Sequence, residues 1–348
     1  MGIQYFFSTT IYWGMLLIPL QHINIDKVRK HLTFTVTTYQ GASIKHTFFE
    51  IIDNNIWLPF KYVKVNYPHL MTVPMVPMTN HYQLKGTLYD TKQRPQKAVK
   101  QAAIAALDRD HGTIIVLPCG TGKTNIALAV GAHYGLKTII LCNNNETMLQ
   151  WRERIQTFIK PIPSVGHIQQ DTCEIKHDYV VASIHSIHRR SYGDLCFGLV
   201  IVDEVHHIAA PTFCKALRQI RFKFILGLTA TLKRSDHLEK AIYELIGLPC
   251  TKMDTDTVFS LHKQLVVRIP KRPDVQVNMI QYSGKNYIAK LPNGKLAYAR
   301  MISRLCADHQ RNNLIINLIR RLHKPGRQGL LLSSRVVHLQ YIHKILGP

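Results

Sequence analysis

The stretch Val116–Val130, VLPCGTGKTNIALAV, decides how this chain is read. An apolar strand-like run leads into a turn with two glycines and a lysine, and a helix-like apolar run follows. Gly120 and Gly122 have no Cβ, so the turn can close around an anion with its amides pointing inward. The helix that starts near Lys123 brings the positive end of its dipole to the same place. Lys123 has the charge and reach for the β- and γ-phosphates of a nucleotide, and Thr124 has the hydroxyl for Mg²⁺. Gly120, Thr121, Gly122, Lys123, Thr124 and Asn125 are therefore the expected nucleotide-binding residues. The strict phosphate-loop pattern has glycine where Leu117 stands, so the strand, turn and helix context carries the assignment.

A phosphate cradle also needs a carboxylate for the cation and a group that orients water. LVIVDEVHH, from Leu199 to His207, supplies both where a hydrophobic strand ends. Asp203 is the expected metal ligand beside Thr124, and Glu204 the general base, with Lys123 completing the catalytic set. His206 is a candidate coupling residue, although a histidine at a strand end also serves as ordinary hydrogen-bonded structure.

Outward from these two stretches, strand-like runs recur at TIIVLP, LKTIILC, DYVVASI, GLVIVDE and FILGLTAT. Amphipathic segments such as ETMLQWRERIQTFI separate them. Continuous apolar strands with helical crossovers predict a parallel sheet covered on both faces, an α/β nucleotide-binding lobe over residues 82–255. Before it, residues 1–81 read as a small strand-rich domain, with LTFTVTTYQ, HTFFEIID and NIWLPFKYV as its strand-like runs. The apolar first twenty residues carry no positive leader and fall short of a membrane span, so they are expected as buried strand or helix. After it, residues 256–348 read as a polar, lysine-rich linker, then a helix-like RMISRLCADHQRNNLIINLIRRL and one buried strand, GLLLSSR. These look like the start of a second α/β lobe.

Composition points to a partner. Lys and Arg number 44 against 21 Asp and Glu, a formal charge of +23, which is more than solubility requires and suits nucleic acid. Seven scattered cysteines with no Cys-x-x-Cys pair argue for a reducing compartment, and against structural zinc or a disulfide framework. No membrane association is expected.

GTGKT, DEVH and GLTAT, in this order and spacing, resemble motifs I, II and III of superfamily 2 helicases of the DExH type. LPCGTGKT is similar to the XPB branch and to helicases of large DNA viruses, including the poxvirus transcript-release type. The likeness runs from about Leu84 to Cys250 and continues more faintly in DHQRNNLI and LLLSSRVVHLQYIHKIL. It implies a RecA-like P-loop NTPase lobe, a strand-rich accessory domain before it and the start of a second RecA-like lobe after it. It also implies ATP and Mg²⁺ as cofactors. Gln96 matches the residue that reads adenine, with Gln93 as the alternative. Thr229 and Thr231 match the motif that links nucleotide state to domain closure. Gln150 and Trp151 match a segment near motif Ia, where the aromatic is core or contact. Asn143, Ser183, Arg189, Lys233 and Arg234 would lie on the nucleic-acid face, holding the backbone of DNA or RNA without reading sequence.

The resemblance implies an ATP-dependent helicase or translocase of viral transcription or replication, in the host cytoplasm or virion, or in the nucleus for a cellular source. Transcription or replication proteins are the expected partners. The Gln-x-x-Gly-Arg-x-x-Arg pattern of motif VI, which supplies an arginine finger worth about 10³–10⁵ in rate, does not occur. The chain alone is therefore expected to bind ATP·Mg²⁺ and hydrolyse it poorly. A non-catalytic nucleic-acid-binding fragment and a duplex translocase subunit of a restriction or remodelling complex are the alternatives.

Overall fold

The computed structural model describes residues 15–37, 43–70, 76–91, 94–193, 195–207, 210–231, 239–253, 267–269, 279–284, 287–326 and 329–347. Gln93, Lys233 and Arg234 lie outside them, as do residues 1–14. The described residues through Ile269 form one compact unit and those from Met279 a second.

The first unit opens with β1 (Met15–Pro19), α1 (Ile25–Leu32), β2 (Thr33–Thr37), β3 (Ser43–Thr47), β4 (Glu50–Ile52), β5 (Asn55–Pro59) and α2 (Phe60–Asn66). β1, β5 and β4 make an antiparallel three-stranded sheet, and β2 pairs with β3. Met15 and Leu16 are fully buried in β1. Two helices were not legible in the strand-like pattern. Asn24 caps α1 by accepting the Lys27 amide, and α2 follows Pro59 with Phe60, Tyr62 and Val63 buried.

Next come α3 (Gln96–Asp110), β6 (Gly112–Val116), α4 (Lys123–Tyr134), β7 (Thr138–Cys142) and α5 (Asn145–Phe158). After these follow β8 (Val165–Gln169), β9 (Thr172–Cys173), β10 (Tyr179–Ser183), α6 (Ile184–Arg189) and β11 (Leu199–Val202). α7 (Ala210–Leu217), β12 (Phe224–Thr229) and α8 (Glu239–Leu245) complete the lobe. The seven strands of its sheet run in the order β9-β8-β10-β7-β11-β12-β6. All pairings are parallel except the β8–β9 hairpin. Every residue of β6, β7, β10, β11 and β12 is buried, as expected of parallel strands covered on both sides. The five strand-like runs of the sequence are these five strands. β8 escaped the pattern because it is a shorter-lived signal near the sheet edge, VGHIQ, with His167 and Gln169 only half-buried.

The N-terminal elements and one face of this sheet share a core. Met15, Leu16, Ile56, Leu58 and Phe60 belong to the same buried cluster as Ile114, Val200 and Ile225. Phe60 lies with its ring 5.9 Å from His111 and 6.1 Å from Phe222. Lys61 donates to the Tyr243 carbonyl at 3.1 Å, and Arg218 pairs with Glu50. The segment expected as a separate domain is thus part of the first compact unit, because its apolar residues are buried on the sheet.

The second unit holds α9 (Tyr298–Cys306), α10 (His309–Leu322) and α11 (Val336–Leu346). The single helix-like run of the sequence is broken at Asp308, whose carboxylate caps α10 by accepting the Gln310 and Arg311 amides. GLLLSSR, expected as a buried strand, forms none. Leu330 and Leu332 are 84% and 80% exposed, and no described neighbour offers the ladder that a strand needs.

Candidate nucleotide site at the carboxyl ends of the strands

Parallel strands deliver their C-terminal ends to one edge, which is where α/β sheets bind ligands. β6 runs into the glycine turn, β7 into Asn143, β10 into α6, β11 into Asp203 and β12 into Ala230.

In the glycine turn, Gly120 and Gly122 have φ of 74° and 95°, in the left-handed region that a Cβ penalises. Gly122 is the N-cap of α4 and offers its first amides no side-chain partner. Thr121 is 8% exposed and its hydroxyl donates to the Pro118 carbonyl at 2.6 Å. Lys123 donates to the Leu117 carbonyl at 3.0 Å. Asn125 Oδ1, in the first turn of α4, is buried and has no hydrogen-bond partner among the described residues. Thr124 stands in the same turn, half-buried.

Gln96, expected as an adenine reader, braces this loop. It is 6% exposed, its Nε2 donates to the Thr121 carbonyl at 2.7 Å, and its Oε1 accepts the Tyr89 amide at 3.1 Å. Both ends of the amide are engaged within the protein, and the side chain fills the space beside Gly122.

Opposite the loop, Asp203 is held by two donors. Trp151 Nε1 donates to its Oδ2 at 2.8 Å and the Glu204 amide to its Oδ1 at 3.0 Å. Burial pushes the Asp203 carboxyl above its ordinary range and the Glu204 charge adds to this, while the Trp151 bond and the Lys123 charge oppose it. Glu204 has φ of 45°, left-handed for a residue with a Cβ, as the chain leaves β11 for the turn Val205–His207. Its Oε2 is buried without a hydrogen bond among the described residues and lies 3.3 Å from His206 Nδ1, an ion pair only when that ring is protonated.

His206 is tied to the end of β12. Its Nδ1 lies 2.7 Å from Thr229 Oγ1, which in turn is 2.7 Å from the Thr231 carbonyl. A carbonyl only accepts, so the single Thr229 proton goes to it and His206 Nδ1 is the donor. Thr229 Oγ1 also accepts the Thr231 amide at 3.2 Å.

A cleft of about 310 Å³ brings together Cys119, Asn143, Asp203, Glu204, His206 and Thr231, while Lys123, Thr124 and Asn125 are not among its lining residues. A second recess, of about 420 Å³, is lined by Asn143, Gln169, Ser183, His185, Arg189 and Arg190 among others. Asn143 borders both, and its Oδ1 meets His185 Nε2 at 2.9 Å. Of the three described candidates for nucleic-acid contact, Ser183 is 9% exposed and caps α6 by accepting the Ser186 amide, so its hydroxyl serves the helix. His185 and Arg190 belong to the same stretch of sequence, ASIHSIHRR, as Ser183 and Arg189, whereas Gln169 joins this recess through folding alone. No spacing in the sequence singles it out, and the same holds for the Trp151–Asp203 bond.

These residues fit a nucleotide with a divalent cation. An uncapped helix N-terminus and two Cβ-free loop positions suit phosphate oxygens, and a threonine hydroxyl with a carboxylate suits Mg²⁺. Glu204, which lines the cleft, keeps a buried, unbonded oxygen as acceptor capacity there.

The parallel sheet, with the glycine loop after β6, the Asp-Glu pair after β11 and β12 between those two strands, is an α/β lobe of RecA-like architecture. Residues 88–234 match the family described as Type III restriction enzyme, res subunit. A protein of Acanthamoeba polyphaga mimivirus that bears the name of an ATP-dependent RNA helicase is 27% identical over 343 residues, covering 93% of this chain and 62% of its own length. The DNA 3'-5' helicase XPB of Mycobacterium tuberculosis is 35% identical over 144 residues, 38% of this chain and 26% of that protein. Among solved structures, the UvsW helicase of bacteriophage T4 aligns over 92% of this chain and 68% of its own, at 12% identity and a TM-score of 0.42. The chain spans about three-fifths of the length of the mimivirus relative.

Proposed function

We propose that the intact protein is an ATP-dependent DExH helicase or translocase that moves along a nucleic-acid backbone in viral transcription or replication. The observation that carries the reading is the single cleft bordered by Cys119 of the glycine loop, by Asp203 and Glu204, and by Thr231 beyond β12. Lys123 would hold the β- and γ-phosphates, Thr124 and Asp203 would hold Mg²⁺, and Glu204 would orient the attacking water. The cation, when bound, neutralises charge on the phosphate oxygens. His206 and Thr229 link Glu204's neighbourhood to the end of β12, so a change at the carboxylates reaches Thr231 through two hydrogen bonds. Asn143, Arg189 and Arg190 would grip phosphates of the strand in the adjoining recess, and the +23 charge supports such a partner.

The test uses the full-length protein. Lys123→Ala and Glu204→Gln are each expected to abolish nucleic-acid-stimulated ATP hydrolysis, and retained turnover in either rejects the assignment. Strand displacement measured beside triplex displacement separates a helicase from a duplex translocase.

A further inference from the structure

We infer that Trp151 is a positioning residue that fixes the carboxylate of Asp203 for a divalent cation. This rests on the reading of Asp203 as a cation ligand. α5 starts directly after β7, where Asn144 caps it by accepting the Thr147 amide at 2.8 Å. That start fixes which residues of α5 face the sheet. Trp151, nearly two turns on, is 2% exposed and packs in the same core cluster as Met148, Ile155 and Val181. A buried tryptophan needs an acceptor for its indole N–H. Here the acceptor is a carboxylate just past the end of β11: Asp203 Oδ2, at 2.8 Å.

The Glu204 amide holds Oδ1 at 3.0 Å, so the two oxygens are restrained by donors of different origin. Turning the carboxylate about its Cβ–Cγ bond would break both contacts. One lone pair on each oxygen remains for a ligand. The indole suits this work because it only donates, carries no charge that would compete with a cation, and sits on a ring locked by packing. A lysine in its place would cancel the carboxylate's charge. Partners that orient a metal ligand in this way typically carry about 10–100-fold in metal affinity when removed.

The experiment reads the Mg²⁺ dependence of fluorescent-ADP binding to the full-length protein, not turnover. Trp151→Phe keeps most of the packing and deletes the donor. It is expected to raise the half-saturating Mg²⁺ about tenfold while leaving ADP affinity in EDTA unchanged. Trp57→Phe, a substitution outside the site, is expected to leave both values as in the wild type. If Trp151→Phe titrates like wild type while Asp203→Asn loses its Mg²⁺ dependence, the positioning role is overturned and the nucleotide site stands. If Asp203→Asn also titrates like wild type, Asp203 is not the cation ligand and the inference falls with that reading. Indole NMR on unmutated Trp151 covers the case in which Trp151→Phe does not fold. Replacing every other tryptophan of the full-length protein in turn, Trp13 and Trp57 among them, identifies its resonance by elimination. That resonance should move on adding Mg²⁺ with ADP and hold still with ADP in EDTA. A resonance insensitive to Mg²⁺ overturns the proposal.

Discussion

Gly122→Ala should damage the glycine loop through Gln96, and that part of the damage should disappear when Gln96 is also removed. A Cβ on Gly122 would stand 2.3 Å from Gln96 Nε2, more than 1 Å inside contact distance. A free glutamine would swing aside at little cost, but this one is 6% exposed and bonded to the Thr121 carbonyl and the Tyr89 amide. Displacing it leaves buried polar groups unpaired, about 1–3 kcal/mol. The left-handed backbone at φ 95° adds about 1–2 kcal/mol for any residue with a Cβ. The single variant should therefore lose about 2–5 kcal/mol by these two contributions. In a Gln96→Ala background the clash has no object, so Gly122→Ala should cost only the backbone contribution. Urea unfolding of the four proteins of this double-mutant cycle measures the difference, expected as a coupling of about 1–3 kcal/mol. Additivity to within about 0.5 kcal/mol would refute the brace, whatever the single variants lose.

Three further outcomes are expected. Asp178 accepts hydrogen bonds from the Thr79 amide, the Thr79 hydroxyl and the Asn80 amide; burial works to raise its carboxyl, and these bonds hold it below the ordinary value. Its folded pKa is depressed, so its contribution is fully present above the unfolded value of about 3.9 and is lost as pH falls through the folded one. Chemical unfolding should show Asp178→Ala less stable than wild type by about 2–3 kcal/mol at pH 7, with the gap closing below about pH 4; a gap that does not change with pH removes the carboxylate from the account. Phe60→Ala empties a site between His111 and Phe222 and should cost about 3–5 kcal/mol in one cooperative thermal transition; a separate melting of the N-terminal elements would show that the core is not shared. His206→Ala severs the link to Thr229 and should leave nucleotide affinity intact while nucleic-acid stimulation of turnover drops roughly tenfold, measured in paired binding and ATPase assays; unchanged stimulation would mean the bond is only structural.

The parts of this protein legible in the sequence are those whose chemistry is local. Five buried strands announce themselves as apolar runs, because a parallel strand covered on both faces has no polar side to interrupt it. The glycine loop is legible for a similar reason: its φ values and Cβ-free approach are demanded within a few residues of chain. Asp203 and Glu204 are named by their place at a strand end. What these groups touch was settled by tertiary structure. The partners that matter are far apart in the chain: Trp151 with Asp203, Gln96 with Thr121, His206 with Thr229, and Asn143 with His185. No periodicity records such pairs, since each depends on which strands lie side by side and where a helix begins. The same reason hid the N-terminal packing, where Phe60 finds Phe222 across the fold, and misread GLLLSSR, whose apolar residues say strand while the hydrogen bonds that make one must come from a neighbour. Sequence by itself determined the chemistry available and the class of lobe that bears it. Only the fold decided which groups meet, because contact between distant residues is a property of the sheet order and not of the local chain.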